Sequence, residues 1–125
     1  FPTRRSSDLN DLSLDQRDGV SVAWAEISLQ SMALYQVQPE EINAFVDELD
    51  RVDRADVVVL VREVPGGKVK ASIRSRLHPI NQVAAIFGGG GHPRAAGFVT
   101  EGQVSQVRSA IVEAVHSELS QLIQA

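Results

Sequence analysis

Residues 57–61 read Val-Val-Val-Leu-Val, an unbroken apolar run in which all but Leu60 are β-branched. Branching at Cβ restricts χ1 and crowds a helical turn, so such a run favours a strand. The run does not alternate, so it offers no face to water. It belongs at the centre of a buried sheet, and the other elements have to be arranged around it.

The flanking sequence supplies those elements. Val20–Ser28 places Val20, Val22 and Trp24 on one face and Ala23, Ala25 and Ile27 on the other, which predicts an inner strand after an Asp18-Gly19 turn. Residues 29–38 predict a loop or a short irregular helix. Pro39 then suits a first helical position, with Glu40 and Glu41 in the first turn. Ile42, Phe45, Val46, Leu49 and Val52 recur at helical spacing, which predicts an amphipathic helix over 39–53 with a solvated acidic face. Pro65-Gly66-Gly67-Lys68 marks a hairpin turn. The strand after it, 68–76, alternates: Val69, Ala71 and Ile73 point one way, while Lys70, Ser72, Arg74 and Arg76 form a stripe of donors and positive charge on the other. A short helix over 79–87 follows, with Gly88 as its C-terminal cap. A strand over 96–100 comes next. A long helix over 103–122 closes the chain, buried through Val104, Val107, Ile111, Val112, Val115, Leu119 and Leu122. The order β-α-β-β-α-β-α makes this an α/β fold, an open mixed β-sheet with helices packed on it.

One stretch is unlike the rest: Gly88-Gly89-Gly90-Gly91-His92-Pro93-Arg94-Ala95-Ala96-Gly97. Four glycines in succession let a backbone reach positive φ and approach another surface closely. Pro93 biases His92 towards an extended conformation. Free amides beside a histidine and an arginine suit an anion, above all a phosphate. The stretch is neither a Walker loop nor a dinucleotide fingerprint. Those place glycines between a strand and a helix N-terminus, whereas here the glycines follow a helix. A phosphate would therefore be held by loop amides together with Arg74, Arg76, His92 and Arg94, with the His92 ring able to become a cation beside it. A loop that merely needs room to turn is the plainer alternative, and a solvated sheet face is the alternative for the two strand arginines.

Composition narrows the function classes. A length of 125 residues fits one domain, and 43% hydrophobic with 22% charged residues is ordinary for a globular chain. No apolar run approaches a membrane span, no secretory signal is visible, and the chain has no cysteine, so a cytoplasmic protein is expected. The net charge of −4 argues against a general binder of long nucleic acid but leaves room for a small phosphorylated ligand. Residues 1–9 lack periodicity and read as a non-native, adapter-derived extension, so that the natural protein would continue further towards its N-terminus. His78 reads as a helix-entry residue and His116 as a surface residue. No metal-binding cluster and no nucleophile elbow can be made out.

The Gly88–Gly91 tetrad with His92, then Ala95-Ala96-Gly97, and Ile73-Arg74-Ser75-Arg76 upstream, resembles the C-terminal substrate-binding domain of DHH-family phosphoesterases. The resemblance covers residues 18–123 and is greatest for the bifunctional oligoribonuclease and pAp-phosphatase (nanoRNase) branch. It implies a two-domain enzyme. An upstream DHH domain would hold two Mn2+ ions and cleave the phosphodiester, and the present domain would close over the cleft. By motif position, Gly88, Gly89, Gly90, Gly91 and His92 would contact the phosphate, and Arg74 and Arg76 the substrate backbone or base. Arg76 stands where lysine is common in relatives, and Pro93 directly follows the histidine. The resemblance implies short oligoribonucleotides or pAp and the DHH domain as partners, and leaves a homodimer open. The DHH motif itself does not occur in this chain, so the chain is not expected to catalyse alone. A non-catalytic nucleotide-binding or regulatory module and a cyclic-dinucleotide phosphodiesterase fragment are the alternatives.

Overall fold

The computed structural model describes residues 13–17, 19–34, 36, 38, 40–41, 55–76 and 78–124. In chain order they form β1 (Ser13–Arg17), β2 (Val20–Ile27), α1 (Leu29–Leu34), β3 (Val57–Val64), β4 (Lys68–Ser75), α2 (Asn81–Ile86), β5 (Gly90–His92), β6 (Ala95–Glu101) and α3 (Val104–Gln124). The strands make one sheet in the order β1-β2-β3-β4-β6-β5. Neighbours run antiparallel except β2 and β3, which are parallel. The α/β class and open mixed sheet expected from sequence are therefore those of the structure, with two strands more. The helix expected over 39–53 falls almost wholly outside the described residues.

The valine run is where its composition requires it to be. Val57–Val61 lies inside the sheet, flanked by β2 and β4, and every one of its side chains is buried. Its parallel register with β2 is set by one residue. Asp56 accepts from the Ser21 amide (2.9 Å) and hydroxyl (3.2 Å), and its own amide donates to the Ser21 carbonyl (2.9 Å). A slip by one residue would break all three bonds and turn every side chain of the strand over.

Helix α3 covers one face of the sheet. Val107, Ile111, Val112, Val115 and Leu119 project from it onto Val22, Val59, Ile73 and Phe98, which share that face by register. Ile111 and Leu119 are fully buried, so truncating either to alanine costs about 2–5 kcal/mol. Polar contacts hold the helix at two further points. Arg108 lies 3.8 Å from the Trp24 ring centroid and donates to Glu26 of β2 at 2.9 Å. Nearer the C-terminus, Arg17 of β1 bridges Asp15 and Glu113 with both arms of its guanidinium.

That second clasp overturns one expectation. His116 is buried, not on the surface, and its Nε2 lies 3.5 Å from Asp15. The reason is β1, which the alternation of polar residues in Ser13–Arg17 did not reveal. It lays Asp15 and Arg17 over the helix face that carries His116 and Glu113.

The described residues cover the opposite face of the sheet only in part. Ala23, Ile27, Val58 and Leu60 are buried there, and α1, with its buried Met32, packs against β3. Further across, on β4 and β6, no described helix lies over this face. Lys70, Ser72 and Arg74 are half-buried, and Ala95 and Val99 are exposed.

Candidate functional site

The glycine stretch does not form an open loop. Gly90–His92 is a three-residue edge strand, β5, joined to β6 by a turn at Pro93-Arg94. Glycine has no side-chain pattern, so strand periodicity could not show it. The hairpin is fastened from below. Phe87, at the end of α2, stacks on Phe98 of β6 with centroids 4.7 Å apart, and the Gly89 amide donates to the Ala84 carbonyl at 2.9 Å. The turn is fastened too: the Pro93 carbonyl accepts from the Ile80 amide (2.8 Å) and the Arg94 carbonyl from the Ser75 amide (3.0 Å).

Three glycines of the tetrad have a structural reason. Gly88 adopts φ +85° directly after the helix, a conformation side chains disfavour. A Cβ on Gly89 would collide with the Gly97 carbonyl and with Phe98. Gly91 adopts φ +138°, and a Cβ there would lie 2.8 Å from the Ala95 carbonyl oxygen. Gly90 has neither constraint: its φ is ordinary and a Cβ would meet nothing within 4 Å. Each of the other glycines of the chain has a positive φ or, like Gly97, a backbone neighbour that a Cβ would strike. Gly90 alone is bare for no reason inside the fold.

What lies in front of Gly90 is a groove of about 530 Å³. Its geometry follows from strand register. Arg74 of β4, Ala95 of β6 and His92 of β5 form one row across the sheet, and Ser72, Gly97 and Gly90 form the next. Strands lie about 4.8 Å apart, so Arg74 and His92 stand roughly 10 Å from each other with only a methyl group between them. Ala95, Gly97 and Gly90 thus make a low floor, bounded by Lys70, Ser72 and Arg74. No residue lining the groove is acidic. A second depression of equal volume, at the start of α3, is lined by Glu26 and Glu63 and by no cation, and would repel an anion.

His92 has a defined orientation. The Arg94 amide donates to its Nδ1 at 3.2 Å, which assigns the ring proton to Nε2 and leaves that N–H as a donor. Arg74 is half-buried, and its Nη1 donates to the Ile73 carbonyl at 3.2 Å.

The sequence-derived candidates divide into two sets. Arg74 and Gly90 line the groove, and His92 shares a row with Arg74. Arg76 and Arg94 do not line it: β4 ends at Ser75, so Arg76 leaves the sheet, its amide bonded to the Asp56 carbonyl at 3.2 Å, and Arg94 sits in the exposed hairpin turn. Lys70, Ser72 and Gly97 line it without having been named as site residues. The alternation along β4 held the signal for the first two. Among the described residues no group of three or more His, Asp or Glu side chains is arranged to hold a metal ion, and no metal step is assigned to them.

Residues 26–121 match the DHHA1 domain. The chain belongs to the DHHA1 family. This agrees with its resemblance to the C-terminal domain of DHH-family phosphoesterases. Among solved structures the fold is similar to that of an exopolyphosphatase-related protein from Bacteroides fragilis, with TM-score 0.79 and 18% identity over 99% of this chain and 36% of that one. It is also similar to that of a pGpG-specific phosphodiesterase, PggH, from Vibrio cholerae, with TM-score 0.56 and 11% identity over 90% of this chain and 38% of that one. This DHHA1 domain thus spans little more than a third of either protein's length. No helix among its described residues is long and apolar enough to cross a membrane.

Proposed function

We propose that this DHHA1 domain is the substrate-gripping part of a cytoplasmic phosphodiesterase of the nanoRNase branch, which hydrolyses short oligoribonucleotides and dephosphorylates pAp. A DHH domain would supply the two Mn2+ ions and the bond cleavage. The present domain would supply the grip. The observation that carries this reading is Gly90, whose missing side chain leaves the floor of a cation-lined groove open to close backbone approach. A phosphate lowered onto that floor meets the Arg74 guanidinium on one side and His92 Nε2–H on the other, both charge-assisted contacts to an anion.

Size supports a short substrate. A groove of about 530 Å³ is within the range that holds one small ligand. The chain's net charge of −4 gives no extended basic track for a long strand. The pGpG specificity in the name of the Vibrio cholerae neighbour is in keeping with a dinucleotide-sized ligand.

The test is a titration of the 15N-labelled protein with pAp and with a diribonucleotide, read by amide chemical shifts. Shifts centred on Lys70, Ser72, Arg74, Gly90 and His92 are expected. Saturable binding that moves other amides and leaves these in place would contradict the reading.

A further inference from the structure

The groove holds a second cation that the grip on one phosphate does not use. Lys70 lies on β4 four residues before Arg74, on the same face, and both line the groove. At about 3.3 Å per residue their Cα atoms are roughly 13 Å apart. Between them come only Ser72 on β4 and Gly97 on β6, so nothing bulky divides the space. Lys70 is half-buried, and its row across the sheet reads Arg62, Lys70, Val99. Arg62 is buried beside it, which adds positive potential at that end of the groove. Val99, more than half exposed, ends the row as an apolar shelf at the sheet edge, since β5 does not extend that far.

The groove is therefore positive at two separated stations with a neutral, hydroxyl-bearing middle. A single phosphoryl group can engage both cations only if both side chains fold over Ser72. Two anionic groups on one ligand can engage them extended. We infer that Lys70 reads a second anionic group, so that the domain prefers nucleotides carrying a terminal phosphate monoester in addition to the phosphate held at Arg74 and Gly90. This rests on the nucleotide-gripping function proposed above and makes Lys70 a specificity-determining residue of that site. It also gives one reason for pAp and short phosphorylated oligoribonucleotides to share a groove, since each carries two separated phosphates.

The experiment compares three ligands, ApA, pApA and ApAp, by calorimetric titration of the wild-type protein and of Lys70→Gln, with melting temperature as a control on folding. The wild type should bind one or both of the phosphorylated ligands about tenfold tighter than ApA, the difference made by one charge-assisted contact at a half-exposed site. The ligand with the larger gain shows which end carries the second phosphate. That preference should fall to about twofold or less in Lys70→Gln, and in the wild type it should shrink as salt is raised. A wild type without preference among the three, or a preference that survives Lys70→Gln, overturns the role of Lys70 while leaving the groove's nucleotide function standing. Failure of the wild type to bind any of the three overturns that function, and the role of Lys70 with it.

Discussion

Arg74 and His92 face each other across Ala95, on one row of three adjacent strands. They come from segments far apart in sequence and reach their positions by different means. Arg74 is placed by the alternation of β4, whose other face is fixed in the core by Val69, Ala71 and Ile73. His92 is placed by a hairpin whose turn is bonded to the backbone at Ile80 and Ser75, and its ring is oriented by the Arg94 amide. Neither side chain needs the other for its position.

That independence makes a prediction about coupling. Arg74→Ala should weaken nucleotide binding about ten- to a hundredfold, the loss of one charge-assisted hydrogen bond. His92→Ala should weaken it too, and His92→Gln, which keeps an N–H donor, should weaken it less. The stability changes of Arg74→Ala and His92→Ala should add within about 0.5 kcal/mol in the double variant, because the residues stand roughly 10 Å apart. The binding losses should fall short of additive, because one phosphate joins the two contacts. Melting temperatures and dissociation constants for the single and double variants check this. Additive binding losses would place the two residues on separate ligand groups.

The clasp between β1 and α3 predicts an acid-sensitive stability. Hydrogen bonds from Arg17 hold the carboxyls of Asp15 and Glu113 below their ordinary pKa values, and both carboxylates in turn raise that of Arg17. A carboxyl with a depressed folded pKa contributes stability in full above its unfolded value, near ~4, and loses it as pH falls through the folded value. The melting temperature should therefore drop from about pH 5 to about pH 2.5, and the drop should be shallower in Arg17→Met. Parallel curves for the two proteins would show that the clasp contributes nothing to folding.

The sequence shows most of this architecture wherever burial is one-sided or complete. The alternation of Val69, Ala71 and Ile73 gave β4 its faces, and the unbroken run from Val57 to Val61 gave β3 its central place. Two strands escaped for opposite reasons. β5 is glycine followed by histidine, and glycine carries no hydrophobic pattern to read. β1 turns Asp15 and Arg17 towards the core side, where they meet Glu113 and His116 of α3. An exposed ion-pair clasp that covers one buried histidine looks, in sequence, like two exposed surfaces. The site followed the same logic. The face on which Arg74 lies was legible from the alternation of β4, whereas the bend that takes Arg76 out of the sheet after Ser75 was not, because strand alternation says nothing about where the strand ends.

The central claim is that Gly90 is bare so that a ligand can approach, while its neighbour Gly89 is bare so that the chain can pack. Two alanine substitutions separate these reasons. Gly89→Ala forces a methyl group into Gly97 and Phe98 and should lower the melting temperature, as overpacking by about 1–3 kcal/mol does. Gly90→Ala meets open space at an ordinary φ, so the fold should be unharmed or gain about 0.4–1 kcal/mol from a less flexible unfolded chain. The most direct measurement is the dissociation constant of a diribonucleotide for Gly90→Ala beside its melting temperature. An affinity lower by tenfold or more at an undiminished melting temperature is the predicted result. Wild-type affinity in that variant would contradict the account.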